Sequence, residues 1–408
     1  MPRFFLEKLM SLPHRGNATP EIEKAAEIIL EEYKKHNVKG EIYEFKSAEQ
    51  SHYLMSFITT LFIIALILKL FNNFILSLIF YFLGWVFYLN WLPIWQRFSL
   101  LFRSFSAKGI FAEVPSREKG KHTLVVSAHY DTPHATLGLN ILRAINKTNF
   151  GRKLFSQNEN LLFFLRGPLF LFNIAIIFLG IIIFLSLKWF LLLFFIPLIL
   201  FLLALFLHLH MAFSSPVPGA FDNGSGTAVV MALAVYFAQN PLKNIRLIFL
   251  TNPCEEGYID GFKEFFKKAK INKENTYFIV LDGVGAKNLK IVYKELSQAI
   301  GKTVRCDPIL KPLIAELIAS EEKFNQIKEF FLPVQSDATN ILKRGGKTAF
   351  ILTSINDDGF VDFYHQPEDT IDKINFNTLN LSYQFMIKLL QRVNDFLNSK
   401  SENEKNNS

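Results

Sequence analysis

Five short stretches of this sequence carry side chains that bind metals or move protons. Ser127-Ala128-His129-Tyr130-Asp131-Thr132 offers an imidazole and a carboxylate two residues apart. Gly219-Ala220-Phe221-Asp222-Asn223-Gly224-Ser225-Gly226 sets Asp222 in a turn of small residues, where glycines permit backbone angles that other residues resist. Glu255-Glu256, Asp282 and His365 follow downstream. Each has a plain structural reading: a hydrogen-bonded histidine at a strand end, a solvated glutamate pair, a turn aspartate. In sequence, each at a strand end or a glycine-rich turn, they read as one metal site. One histidine with two or three carboxylates per ion suits zinc and similar divalent metals. Two ions a few ångströms apart can share a carboxylate, activate a water and polarise a carbonyl. Tandem glutamates then divide the work. One binds metal, and its neighbour takes a proton from water and passes it to a leaving amine. In His-X-Asp, the carboxylate can hold a metal-bound imidazole in its tautomer and orientation.

Such residues need a frame, and the pattern supplies one. Residues 20–35 predict an amphipathic helix: Thr19 caps it, Pro20 suits its first turn, and Ile22, Ala25, Ala26, Ile29 and Tyr33 share one face. Strands are expected at 40–46, 108–114, 123–127, 245–250, 276–281 and 347–352. Helices are expected at 227–239 and 259–270, with a closing helix at 376–398. This alternation argues for an α/β layered domain with a largely parallel sheet. His129 and Asp131 follow one strand, Glu255-Glu256 lies just past another, and Asp282 ends a third. The carboxyl ends of strands are where open α/β sheets build their sites.

The rest of the composition points elsewhere. The 408 residues are 50% apolar, Phe alone contributes 44, and yet 20% are charged, which suggests soluble and membrane parts interleaved. The net charge of +8 is assigned to Lys and Arg flanking membrane segments. No nucleic-acid partner is expected, since no basic run is interleaved with aromatics. Cys254 and Cys306 define neither a metal spacing nor a disulfide framework, so a reducing compartment is allowed. Residues 1–20 lack the apolar core of a signal peptide. From Tyr53 to Trp95 the chain is nearly uncharged apart from Lys69, and Asn72-Asn73 divides it. Trp85, Trp91 and Trp95 crowd toward its exit, as an interfacial belt would. Residues 137–160 are partly basic and fit either an amphipathic element on a membrane or a solvated helix. A second apolar run spans Pro168 to Met211. As one helix it would rise about 65 Å, so two spans with a turn near Lys188 are expected.

Taken in order, the motifs resemble the co-catalytic zinc peptidases of clan MH, family M28, typified by aminopeptidases. The resemblance runs from Leu12-Pro13-His14-Arg15-Gly16 through the stretches above, then Leu281-Asp282-Gly283-Val284-Gly285 and Ser336-Asp337 to Tyr364-His365-Gln366-Pro367-Glu368-Asp369-Thr370. It implies two Zn2+ ions. His129, Asp222 and Asp282 would hold one; Asp222 would bridge to a second completed by Glu256 and His365. Glu255 would be the general base and Asp131 the partner that orients His129. A cis peptide bond after the bridging aspartate, Asp222–Asn223, is implied too. The sequence departs from the family in two places. Residues 132–218 replace a short loop, and Ala338 follows Asp337 where relatives often carry histidine.

Because His129 and Asp222 must meet, the chain between them has to cross a bilayer an even number of times. The expected fold is therefore an α/β, three-layer zinc-exopeptidase fold, a mostly parallel mixed sheet flanked by helices, interrupted by two transmembrane helical hairpins. The peptidase domain would comprise 1–52, 97–136 and 213–398. Hairpins would fall at 53–96 and, after an amphipathic segment, within 137–212, with a disordered tail at 399–408. Arg97, Arg103, Lys108, Arg143, Lys147, Arg152, Lys153 and Arg166 lie on the domain side, against Lys69 and Lys188 at the tips. The positive-inside rule then predicts an integral membrane protein with four spans and a cytoplasm-facing peptidase domain. The function expected is a membrane-embedded dinuclear zinc metallopeptidase acting as an aminopeptidase on peptide substrates, with the lipid bilayer as its other partner. Alternatives are a glutaminyl cyclase-like or carboxypeptidase-type relative, or a non-catalytic binding protein. A transporter is disfavoured, since the spans hold no carboxylates.

Overall fold

A computed structural model describes residues 1–49, 51–90, 94, 104–118, 122–137, 167–184, 190–258, 261–296 and 303–406. All but Leu137 of the expected amphipathic segment at 137–160, together with Trp91, Trp95, Lys188 and most of the flanking basic residues, lie outside the described residues.

One sheet organises the chain. Its strands are β1 (Gly40–Ala48), β2 (Ser104–Val114), β3 (His122–His129), β4 (Ile245–Asn252), β5 (Thr276–Leu281), β6 (Asn288–Leu296), β7 (Thr303–Arg305), β8 (Lys328–Leu332) and β9 (Lys347–Ile355). The order is β1-β2-β4-β3-β5-β9-β6-β7, with β8 on β6. The central strands β4, β3, β5 and β9 run parallel, and β8 runs parallel to β6. The β1–β2, β2–β4, β6–β9 and β6–β7 pairs are antiparallel. The expected mixed α/β architecture is present, with parallel pairing concentrated at the centre.

The helices are α1 (Pro2–Leu9), α2 (Pro20–Lys35), α3 (His52–Leu70), α4 (Phe74–Leu89), α5 (Gly167–Phe184), α6 (Phe190–Phe213), α7 (Gly226–Gln239), α8 (Phe262–Lys268), α9 (Lys311–Ser320), α10 (Asp337–Lys343) and α11 (Phe376–Asn406). The sheet alternates its faces with period two. Leu124, Val126, Leu247, Phe249, Ile279 and Leu281 join the core formed with α1, α2, α7, α9 and α11. Val125, Ile248, Leu250, Phe278 and Val280 face the other way and meet Phe262, Phe265 and Phe266 of α8. Three layers result. Helix α7 is buried at every residue from Gly226 to Val235, so it is apolar all round and serves as the inner helix. The closing helix runs to Asn406, so the backbone at 399–406, expected as a disordered tail, continues the helix. Its Glu and Lys residues are good helix formers.

Helices α3, α4, α5 and α6 build a separate apolar cluster. Leu54, Ile58, Phe62, Ala65 and Leu66 of α3 pack with Tyr81 of α4, Leu179 and Ile183 of α5, and Phe201 and Ala204 of α6. Phe62 stacks on Phe201 at 5.7 Å between centroids and lies against Gly84, where any side chain would collide with its ring. The Ser77 hydroxyl donates to the Ala65 carbonyl at 2.7 Å, satisfying it inside the bundle. Outward faces are apolar too: Ile75, Ile79, Phe82 and Val86 on α4, and Phe195, Ile199, Leu202 and Phe206 on α6 are exposed.

The bundle corrects the expected topology. Among the described residues two helices, not four, are long and apolar enough to cross a membrane: His52–Leu70 and Phe194–Phe213. Phe74–Leu89 has 16 residues, about 24 Å of helix against a hydrocarbon core of about 30 Å. The described apolar part of α5 is shorter still, Ile174–Ile183. Long apolar composition suggests length enough to span, but turns at Phe71–Asn73 and after Leu89 cut the first run short. Among the described residues two spanning hairpins are therefore not found, and the expected four-span integral topology with a cytoplasmic domain, which depended on them, does not stand.

Candidate metal centre

All seven residues expected at the site come together at the carboxyl end of the parallel strands. β3 ends at His129, and its register with β4 sets His129 beside Asn252. Asp282 directly follows β5 and its N–H donates to the Leu352 carbonyl at 2.9 Å. Asp222 arrives in the turn before α7, and the peptide bond between Asp222 and Asn223 is cis, as the resemblance implied. Gly219 adopts φ +68, and a Cβ there would meet Thr132 Cγ2 at 2.3 Å.

Three clusters place their ligand atoms within 4.8 Å of one another: His129, Asp222 and Asp282; Asp222, Glu256 and His365; and His129, Glu255 and Glu256. Asp222 is common to the first two and splits its oxygens. Oδ1 lies 3.4 Å from His129 Nε2, and Oδ2 lies 3.0 Å from His365 Nε2. Asp282 Oδ1 is 3.7 Å from His129 Nε2, and Glu256 Oε1 is 3.5 Å from His365 Nε2. Asp131 sits behind, its Oδ1 3.5 Å from His129 Nδ1. It also accepts from Glu255 N at 3.2 Å, Glu256 N at 3.1 Å and Asn17 Nδ2 at 3.1 Å. One carboxylate thus orients the imidazole and anchors the glutamate pair.

These groups fit divalent metal. Asp222 Oδ2 and His365 Nε2 are buried without a hydrogen-bond partner, although they face each other at 3.0 Å. Burial pushes Glu255, Glu256 and Asp282 up from the ordinary carboxylate range, and neighbouring acids add to it. For Asp222, burial alone would act the same way, but His129 and His365 outweigh it and hold the group low. Burial would lower His129, yet Asp131, Asp222 and Asp282 keep it well above its ordinary value. Crowded, buried carboxylates of this kind are neutralised by bound cations, which invert the local proton preference. The donor set of imidazole and carboxylate, three groups per cluster with Asp222 shared, is consistent with a zinc site.

Further residues hold this geometry that the motif reading did not assign. Arg15 is fully buried, and its guanidinium donates to Tyr130 O at 2.7 Å, Pro218 O at 2.9 Å and Gly219 O at 2.7 Å. It joins both ends of the 132–218 insertion. Asp369 accepts from Phe221 N at 2.7 Å and Asp222 N at 3.1 Å, fixing the turn under the shared carboxylate. Asn223 bonds Leu281 O, Gly226 N and Gly283 N, tying the Asp222 and Asp282 turns together. Arg15 and Asp369 lay inside the quoted motifs, but only burial and partners reveal their work. Cys254 and His365 adopt φ of +70 and +55, uncommon for residues with a Cβ and found here beside the site.

Residues 204–390 match the model of Peptidase family M28. A curated relative, the vacuolar membrane protease of Schizosaccharomyces pombe, is 40% identical over 76 residues, which is 19% of this chain and 9% of that protein. The chain therefore matches only a small part of that relative's length. The solved structures include a leucine aminopeptidase precursor from Bacteroides thetaiotaomicron, at 12% identity and TM-score 0.51, covering 96% of this chain and 95% of that one. A glutaminyl cyclase from an Acidobacteriales bacterium is similar at 12% identity and TM-score 0.53, covering 97% and 94%. At such identities the likeness concerns the fold. The chain has an M28-clan exopeptidase-like fold. Residues 204–390 thus resemble that family in sequence, and the three clusters supply side chains that could hold metal.

Proposed function

We propose that this protein is a dinuclear zinc exopeptidase that removes amino-terminal residues from peptides. The observation that carries the reading is the division of Asp222 between two clusters, one with His129 and Asp282 and one with Glu256 and His365. His129, Asp222 and Asp282 would hold one ion, and Asp222, Glu256 and His365 the other. Bound there, zinc would polarise the scissile carbonyl and lower the pKa of water. Glu255, buried beside His129 and Glu256, would receive the proton from water and deliver it to the departing amine. Burial of Glu255, with Asp337, Asp282 and Asp131 nearby, raises its proton affinity and suits it to carrying that proton. Asp131 fixes His129 through Nδ1 and fixes the Glu255-Glu256 backbone, so base and ligands keep one geometry. Seven expected site residues, five of them acids, favour a free cationic amino terminus over a carboxylate. The exposed apolar faces of α4 and α6 offer a surface to lipid, so peptides are met beside a bilayer.

The test is metal analysis of the purified chain with a panel of free and N-blocked peptides. Two zinc equivalents and cleavage of free peptides alone are expected. Glu255→Gln keeps both equivalents and loses turnover by about 10²–10⁴-fold. Full activity in that variant overturns the assignment of the base. Peptides with amino-terminal glutamine separate a second reading, cyclase action, which the similarity to glutaminyl cyclase folds motivates. Release of ammonia without peptide-bond cleavage would establish it.

A further inference from the structure

His129 and Asp222 approach from opposite ends of an insertion, and the chain leaves and returns through a narrow neck. Ala135 N donates to Ser215 O at 3.1 Å, and Val217 N to Pro133 O at 2.9 Å. The Ser214 hydroxyl donates to Ala135 O at 2.9 Å, and His134 bridges Pro216 in antiparallel fashion. Below the neck lie Asp131 and Thr132; above it begin the apolar helices, since Ser214 directly follows α6.

The same neck grips the loop that carries His365. Thr136 N donates to the His365 carbonyl at 3.0 Å, and Gln366 Nε2 donates to the Thr136 carbonyl at 3.0 Å. Both backbone polar groups of Thr136 are thus spent on the His365–Gln366 pair. Thr136 is 3% exposed and Gln366 6%, so little water competes for these bonds. The loop has no ladder to steady it, being neither helix nor strand, and His365 holds φ +55. On its other side the loop is anchored by Asp369, whose N–H donates to Gln366 O at 2.9 Å and whose carboxylate takes the Asp222 turn. The His365 imidazole is therefore aimed at Asp222 and Glu256 from two supports: Asp369 and the neck.

We propose that Thr136 and Gln366 are positioning residues through which the neck of the apolar insertion sets His365 against Asp222 and Glu256. The proposal rests on the reading of His365 as a metal ligand. It gives the insertion a role in the site beyond anchorage. Displacing the neck relative to the sheet displaces His365, while His129, the last residue of β3, and Asp282, which directly follows β5, stay in place.

The experiment uses the 408-residue chain in detergent, stripped with a chelator and titrated with Zn2+ and with Co2+ as a spectroscopic probe. Wild type, Gln366→Met and His365→Gln are compared, and the thermal midpoint of each stripped protein is recorded. Gln366→Met keeps side-chain length and removes the donor. One Co2+ equivalent should bind about 10–100-fold more weakly, with an altered visible absorption, while the other is unchanged. If Gln366→Met binds both equivalents normally while His365→Gln loses one, the neck does not position the ligand. If both equivalents weaken together with a fallen midpoint, the effect is general destabilisation and the proposal fails. If His365→Gln itself binds two equivalents as wild type, the ligand assignment is wrong and the proposal falls with it.

Discussion

Arg15→Met tests whether one buried cation joins the two ends of the insertion. The guanidinium makes three charge-assisted bonds to carbonyls, at 2.7, 2.9 and 2.7 Å. Bonds to charged groups contribute about 2 kcal/mol each, so the favourable side is about 6 kcal/mol. Against it stands the cost of burying the charge. Burial pulls the Arg15 pKa down to about 10 even though Asp369, Asp131 and Asp222 pull it back. That fall from its ordinary value corresponds to about 3 kcal/mol against the charged form. The balance is about 3 kcal/mol in favour of the native arginine. Methionine fills a similar volume but leaves Tyr130 O and Pro218 O without this donor, whereas Gly219 O still accepts from Gly224 N at 3.0 Å. The expected loss is thus about 3 kcal/mol of folding stability, the order expected when buried carbonyls lose a charged donor. Chemical denaturation of the purified chain measures it, and metal titration in the same samples should show weakened binding. Arg15→Lys keeps the charge but not the fork, and should recover only part of the loss. A change below about 1 kcal/mol for Arg15→Met would refute the reasoning, because the carbonyls would then have found other donors.

Two further outcomes follow from the polar interior. Asp131→Asn replaces one of the two oxygens that receive Glu255 N and Glu256 N and weakens the hold on His129; metal affinity should fall about 10–100-fold by titration, and unchanged affinity would remove Asp131 from the support of the site. Glu295 is fully buried, and burial pushes its pKa up to about 7 despite the bonds it accepts from Ser336 and Thr339. Below the ordinary carboxylate range both folded and unfolded chains carry the proton; as pH rises the unfolded chain releases it first, so stability falls by about 3 kcal/mol up to about pH 7 and is flat above. Denaturation across that window should show the slope in wild type and lose it in Glu295→Gln; an equal slope in both would assign it to another group.

What the sequence made legible depended on how local each signal was. The helix at Pro20–Lys35 is cued by Pro20 and the face of Ile22, Ala25, Ala26, Ile29 and Tyr33, which act within one element, and it appears with the expected bounds; the Thr19 hydroxyl, expected to cap it, donates instead to Gly16 O at 2.6 Å. Six of the seven expected site residues lie at or just past a strand end or in the glycine turn, where motif and backbone coincide, whereas His365 sits on a loop of neither kind. Arg15 and Asp369 were not readable, since their partners lie up to 204 residues away and no spacing announces a bond to a carbonyl. The strands Asn288–Leu296 and Lys328–Leu332 escaped for a related reason. Lys290, Lys294, Lys328 and Glu329 interrupt their apolar runs, and only pairing with Lys347–Ile355 and with each other makes them strands. The membrane error runs the other way. Apolar composition is a sum over residues, whereas spanning is a matter of helix length, and length was set by the turns at Phe71–Asn73 and after Leu89. The helices α3 to α6 bury much of that apolar surface against one another, with Phe62, Tyr81, Leu179 and Phe201 at the centre. A run of apolar residues therefore served two demands at once, a packed bundle core and an exposed outer face, and hydropathy alone cannot apportion residues between them.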